Sequence, residues 1–425
     1  MGELRTDLKM QRCDHGRGTR VGRGFILAMA LSLLGVWLAV FAPIQVLLAQ
    51  QMEILAPNSK ESALGMVMGI GSAIALVAQP VIGFLSDRTR SVFGRRHPWN
   101  FLGIVVGALA LYMLGKQTTW TGIVVYWALV QVGTSGVLCA ITAAIPDRVP
   151  VEQRAIVSAW NGVMLSVAVV LGAVITTTLG VGIAQSYTVV AAIFVVLSMP
   201  FVLFTDDPLG QQVHTGEWRW KALFSAFWIS PRKHPDFAWA WSTRFLVGLS
   251  SATGTLFFLY FLRDGLRYEA LYPGERAEDG LLKLVLIYTA AVVVTAFACG
   301  AISDRTGRRK AIVTVSGMIM GVASLLLAFW QNWPMAMVSS AILGVGYGAY
   351  VAVDQALISQ VLPSSADHAK DLGIINVAIV GPQILAPALC AMLVTQFGGY
   401  PALYMFAGLA GLMGGLLVLK IKSVP

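Results

Sequence analysis

The chain reads as an all-α membrane protein of twelve transmembrane helices in two six-helix bundles, with both termini in the cytoplasm. Three observations predict this. Of its 425 residues, 57% are hydrophobic and only 12% are charged, whereas soluble domains carry about 25% charged residues. The apolar residues fall in runs of about 20, the length a helix needs to cross a hydrocarbon core of about 30 Å. The basic residues collect in alternate connections between those runs. Lipid offers no partner to backbone N–H and C=O groups, so each run must satisfy its own, and a helix does so.

Taken in order, the runs predict helices over 24–50, 62–85, 99–115, 120–145, 155–182 and 186–204. The first starts where a basic tail, 1–23, gives out, and the fifth and sixth are separated by a very short turn. A polar stretch, 205–235, then interrupts the pattern and reads as a cytoplasmic linker. Beyond it the runs predict helices over 237–262, 281–302, 311–330, 334–362, 372–397 and 401–419. Pro150 and Pro363 close the fourth and tenth, since proline removes a donor and cannot continue a helix. The bundles are therefore 1–204 and 236–425.

With the N-terminus inside, 23 of the 30 Lys and Arg residues lie in inner connections and tails and 6 in outer loops; the last, Arg244, is inside a helix. Basic residues are retained on the cytoplasmic side, which places both termini there, in the inner (plasma) membrane. The same bias accounts for the net charge of +9 through anionic lipid headgroups, with no need for nucleic acid. The first run is too long for the apolar part of a cleaved signal peptide. Cys13, Cys139, Cys299 and Cys390 are scattered and form no CxxC pair, so neither a disulfide framework nor a metal site is expected. All five histidines fall in tails or connections, which leaves none for a proton relay inside the membrane.

The bundles repeat each other. After the second helix come Gly83, Ser86, Asp87, Arg88 and Thr89, four extra residues, then Gly94, Arg95 and Arg96; after the eighth come Gly300, Ser303, Asp304, Arg305, Thr306, Gly307, Arg308 and Arg309. Gly94 and Gly307 are 213 positions apart, and so are Pro150 and Pro363. A constant offset across independent landmarks indicates a duplication. Asp87 beside Arg95, Arg96 and Asp147 can form a charge-assisted network. The plainer alternative is that these arginines only obey the inside-positive bias.

The paired loops resemble the signature loop of the major facilitator superfamily. The extension ending in Gly94-Arg95-Arg96-His97-Pro98-Trp99 is similar to the sucrose-transporter and glycoside–pentoside–hexuronide branch, as are Pro146-Asp147-Arg148-Val149-Pro150 and Glu152-Gln153-Arg154. The resemblance implies the major facilitator fold and alternating access. It also implies a gating role for Asp87, Arg88, Arg95, Arg96, Asp147, Asp304, Arg305, Arg308 and Arg309. Melibiose-type sodium symporters of the broader branch carry carboxylates within the second and fourth helices, where this chain has none between Glu61 and Asp147. Protons, or no coupling ion, are expected instead.

Charges inside a membrane are costly and mark functional sites. Two remain after helix ends are set aside, Arg244 and Asp354. Arg244 is eight residues beyond Asp236 and Asp354 nine before Pro363, so at 1.5 Å per residue both sit about 12–14 Å from the cytoplasmic end. The resemblance implies that the seventh and tenth helices line the central cavity, and an ion pair between the two is expected. The alternatives are an Arg244 that snorkels to the interface and an Asp354 that is purely structural. Tyr347 and Tyr350 share a helix face with Asp354 and suit a pyranose ring. Trp127, Gln131 and Ser135 on the fourth helix have similar spacing, Ser251 and Thr255 share the Arg244 face, and Gln45, Asn161 and Asn376 offer further hydrogen bonds. Buried amides also simply bridge helices. Pro43, Pro80, Pro382 and Pro387 supply kinks for alternating access.

The expected function is thus a monomeric secondary transporter of a sugar or glycoside, coupled to H+. The alternative is a proton-coupled exporter of a drug or small metabolite. A membrane sensor would need an appended soluble domain, which a 31-residue linker does not provide. No catalytic triad, metal cluster, cofactor motif or nucleotide-binding loop appears, so an enzyme is not expected.

Overall fold

The computed structural model describes residues 21–178, 182–207, 234–360 and 368–422. Cys13, His15, His214, Pro363 and linker residues 208–233 lie outside these, as do the side chains of Asp304 and Asn376. Among the described residues twelve helices are long and apolar enough to cross a membrane. The first six are α1 (Arg23–Leu55), α2 (Lys60–Arg88), α3 (His97–Leu114), α4 (Trp120–Arg148), α5 (Val151–Thr178) and α6 (Ile183–Phe204). The last six are α7 (Pro235–Gly265), α8 (Ala277–Thr306), α9 (Arg309–Phe329), α10 (Trp333–Gln360), α11 (His368–Gln396) and α12 (Gly399–Leu417).

Several helices outrun the apolar segments that announced them. α1 continues to Leu55, α4 runs through Asp147, and α8 begins at Ala277 and so includes Glu278. The added turns carry charges, and the folded chain supplies partners for them, so the helix need not stop where hydrophobicity does. Local chemistry sets other ends. Thr119 accepts the Gly122 N–H at 3.2 Å and starts α4. The Arg276 N–H donates to Asp279 Oδ2 at 2.8 Å at the start of α8, and Gly307, at φ +66°, ends it. Two helices are irregular: α1 widens into a π turn at Pro43–Leu47, and α7 breaks at Phe257 and finishes in a π turn at Phe261–Gly265. Pro80 lies inside α2 and Pro382 and Pro387 inside α11.

Most packing stays within the first six helices or within the last six; α2 against α11 and α5 against α8 join the two sets. In water-free surroundings helices associate by close van der Waals contact, which favours small residues. α3 and α4 touch through Gly107 and Gly133, where a Cβ on Gly133 would fall 2.5 Å from the Gly107 nitrogen. α9 and α12 use Gly317 and Gly415 in the same way, with 2.6 Å to the Gly415 Cα. One apolar cluster runs through the first set and into the ends of α7, α8 and α12 that lie away from the chain termini, through Phe261, Leu284 and Tyr404. A separate cluster, with Phe237, Met320, Val353 and Ile421, fills the second set nearer the termini. The two sets therefore share a core at the far face and have distinct cores at the terminal face.

Candidate functional site

α7 and α10 bring the two deep charges together. Arg244 Nε lies 3.1 Å from Asp354 Oδ2, with the side chains 11% and 7% exposed. This is the ion pair expected from their matched depths. The approach is side-on, through Nε. Tyr350, one turn before Asp354 on α10, is buried. The Tyr347 ring is 6.4 Å from the Tyr350 ring and stacks at 6.3 Å and 29° on Tyr288 of α8. Tyr288 completes a three-tyrosine wall that sequence reasoning missed; its signal was a single aromatic hydroxyl in an otherwise aliphatic run.

The other candidates are more dispersed. Thr255 donates to the Ser251 carbonyl at 2.9 Å, within α7. Trp127, Gln131 and Ser135 are buried on α4, and Trp127 covers Gly71 of α2 so closely that a Cβ there would collide with its indole. Asn161 accepts the Trp37 indole N–H at 2.9 Å and bridges α5 to α1. Gln45 lies in the α1 π turn, and its Oε1 is buried with no hydrogen-bond partner among the described residues. Asn376 belongs to α11.

At the terminal face of the first set, the connection between α2 and α3 is a charge network. Asp147 at the end of α4 receives Arg95 at 2.7 Å and Arg96 at 3.3 Å, and Arg96 also meets Asp87 at 2.7 Å. The Arg88 guanidinium lies 3.5 Å over the Phe84 ring. Asp207, just beyond α6, accepts the backbone N–H groups of Arg96 and of His97 (2.8 Å) and so caps α3 from a distant part of the chain. Gly94 is left-handed at φ +94°, and Asp207 occupies the space a Cβ would need. Burial raises the Asp207 pKa, but hydrogen bonds from the His97 ring and the two backbone groups outweigh it and hold the carboxyl below its ordinary value. In the second set, Arg305 and Arg308 are exposed.

The far face carries a second network, absent from the sequence-based candidates. Arg263 pairs with Glu53 of α1 and with Glu278 of α8. Gln50 donates to the same Glu278 oxygen at 2.7 Å. Lys60 meets Asp264 at 2.7 Å and Glu53 at 3.4 Å. Tyr260 donates to the Ala49 carbonyl at 2.9 Å and Arg276 to that of Thr177 at 2.7 Å. These contacts tie the first set to the second. Outer-loop basic residues had entered the sequence reading only as a charge tally, which hides their partners.

Twelve membrane-crossing helices in two sets, with a charge pair and aromatic groups between helices of the second, define a multi-pass membrane transporter rather than an enzyme. The family model described as Major Facilitator Superfamily matches residues 24–275 and 274–425, and the chain belongs to that superfamily. It is similar to an uncharacterized MFS-type transporter of Methanocaldococcus jannaschii, 22% identical over 376 residues, covering 84% of this chain and 86% of the relative. A shorter stretch is similar to a general alpha-glucoside permease of Schizosaccharomyces pombe, 27% identical over 118 residues, 24% of this chain and 21% of the permease. Among solved structures, a mutant of the nucleoside transporter NupG superposes with a TM-score of 0.75 at 14% identity, covering 93% of this chain and 99% of that one. At that identity the likeness speaks for the fold.

Proposed function

We propose that the chain is a proton-coupled symporter of a sugar or glycoside, working as a monomer in the inner (plasma) membrane by alternating access. The observation that carries this reading is the buried Arg244–Asp354 pair beside the tyrosine wall. A carboxylate beside a guanidinium in low dielectric can take up a proton once the arginine turns to another partner. Arg244 then exchanges between Asp354 and a substrate oxygen, while Tyr347, Tyr350 and Tyr288 present apolar faces and hydroxyls to a sugar ring. The similarity to an alpha-glucoside permease supports the sugar class. The inside-positive bias supports cytoplasmic termini. The far face is then external, and its seam of Arg263, Glu53 and Glu278 belongs to a conformation closed to the outside.

The test is uptake of labelled mono- and disaccharides into proteoliposomes, with and without a pH gradient. For one proton per sugar, each pH unit should support about tenfold accumulation, since one unit equals about 1.4 kcal/mol. Asp354→Asn should abolish gradient-driven accumulation while sugar counterflow continues. Full accumulation by Asp354→Asn would remove the proton role. Exchange of protons for an apolar cation, with no sugar movement, would replace the symporter by the exporter.

A further inference from the structure

We infer that the turn between α2 and α3 is a lipid hook. Val92 and Phe93 insert into the leaflet at the terminal face, and Arg90 binds the phosphate of an anionic lipid headgroup there. The turn spans Ser91 to Gly94 and is closed by the Gly94 N–H, which donates to the Ser91 carbonyl at 3.0 Å. The Phe93 N–H also donates to Ser91 Oγ, at 3.2 Å. Turns are built mostly from Gly, Pro, Asn, Asp and Ser, which suit both the bend and water. Here the two central positions hold Val92 and Phe93, 93% and 76% exposed. Apolar side chains of that size gain on leaving water, so a tip that presents both is fitted to an apolar neighbour.

The chain holds this tip from both sides. Gly94 is fixed against Asp207, and the Trp99 indole N–H donates to Thr89 Oγ1 at 2.7 Å across the base of the loop. The flanking helices show where the lipid lies. Leu85, in the last turn of α2, and Phe101 and Leu102, near the start of α3, are large apolar residues exposed on membrane-crossing helices, where the surrounding solvent is hydrocarbon. The tip thus sits between two lipid-facing stretches, and the occupant it continues toward is the bilayer.

Charge selects the headgroup. Arg90 is exposed and has no ion pair or hydrogen bond among the described residues. Asp87, the carboxylate closest to it along the chain, is engaged by Arg96 at 2.7 Å. A guanidinium matches a phosphate with two parallel hydrogen bonds, and basic groups beside apolar ones are what bind an anionic membrane surface. The four residues that make the hook, 90–93, are the ones the other copy of the loop lacks, since there Thr306 runs directly into Gly307. The extension therefore adds a lipid contact to one copy only. This holds whatever solute the protein carries and on whichever side of the membrane its termini lie.

Fluorescence quenching of the full chain in lipid nanodiscs tests it, with the native cysteines changed to serine and a bimane label on Val92→Cys. Lipids with a doxyl group high on the acyl chain should quench the label strongly, and acrylamide in the water weakly. Replacing phosphatidylcholine by phosphatidylglycerol should raise the ratio of lipid to water quenching about fivefold, the factor one basic residue contributes at an anionic surface. Arg90→Gln should remove that rise, and Phe93→Asp should open the label to acrylamide. Acrylamide quenching as free as that of a label on Thr118→Cys, in the exposed loop at the far face, would overturn the proposal. So would a label reached by neither quencher, which a protein segment would then cover, or a phosphatidylglycerol effect that survives Arg90→Gln. If the cysteine-free chain is not monodisperse, hydrogen–deuterium exchange of the wild type decides. Peptides covering 89–96 should exchange about fivefold more slowly in phosphatidylglycerol than in phosphatidylcholine, and equal exchange overturns the hook.

Discussion

The first six helices keep their described charges at their ends, whereas the last six place an ion pair within the membrane. The loops that share the Gly-x-x-Ser-Asp-Arg pattern differ in the same way. Between α2 and α3, Arg95 and Arg96 are engaged by Asp87 and Asp147, and Asp207 is locked against Gly94. Between α8 and α9, Arg305 and Arg308 face outward and the space beside Gly307 is open. Among the described residues the two copies thus differ at Arg95 against Arg308 and at Gly94 against Gly307. The four-residue extension brings Gly94 against Asp207, just beyond α6, a contact that Gly307 does not make.

The largest effect should come from the deep pair. Arg244→Leu leaves Asp354 buried without its partner and should cost about 3–5 kcal/mol, read as thermal unfolding in detergent. The double change Arg244→Leu with Asp354→Leu should recover most of that loss. Equal destabilisation by the single and double changes would mean the pair is not the source. Next comes the far-face seam. Arg263→Gln removes the cation shared by Glu53 and Glu278 and should weaken the seam by about 1.5–3 kcal/mol. Spin labels at Thr118 and Gly274, one in each set at that face, should then show a longer-distance population; an unchanged distribution would deny the seam a role in holding the sets together. The smallest effect belongs to the α2–α3 charge network as a source of stability. Arg95→Ala touches a partly exposed pair and should cost less than about 1 kcal/mol, and Arg308→Ala less still. If Arg308→Ala proved the more costly, the contrast between the loops would reverse.

The helices and the deep pair were legible because both are local or one-dimensional properties. A run of apolar residues marks its own span, and depth along a helix follows from counting residues, so Arg244 and Asp354 could be matched across more than a hundred positions. Orientation about the helix axis was not legible. Trp127, Gln131 and Ser135 do share a region of α4, but Gly71 on another helix decides that the indole is packed away. Glu53 and Glu278 fell outside the expected helices 24–50 and 281–302, and their common partner, Arg263, is brought to them only by assembly of the two sets. Asp207 carried no local signal, because its work is to cap a helix that begins 110 residues earlier.

The π turns in α1 and α7 connect these levels. They begin at Pro43 and Phe261, 218 positions apart, and Asp87 and Asp304 are separated by 217. To within one residue, the irregularities occupy the same place in each copy of the repeat. A widened turn takes in one extra residue and so rotates everything beyond it by about 100° relative to an uninterrupted helix. In α1 that rotation carries Gln50 and Glu53, and α7 delivers Arg263 at its own widened turn. The seam between the sets therefore forms where the two copies share an irregular turn: Arg263 within the π turn of α7 meets Glu53 beyond the π turn of α1.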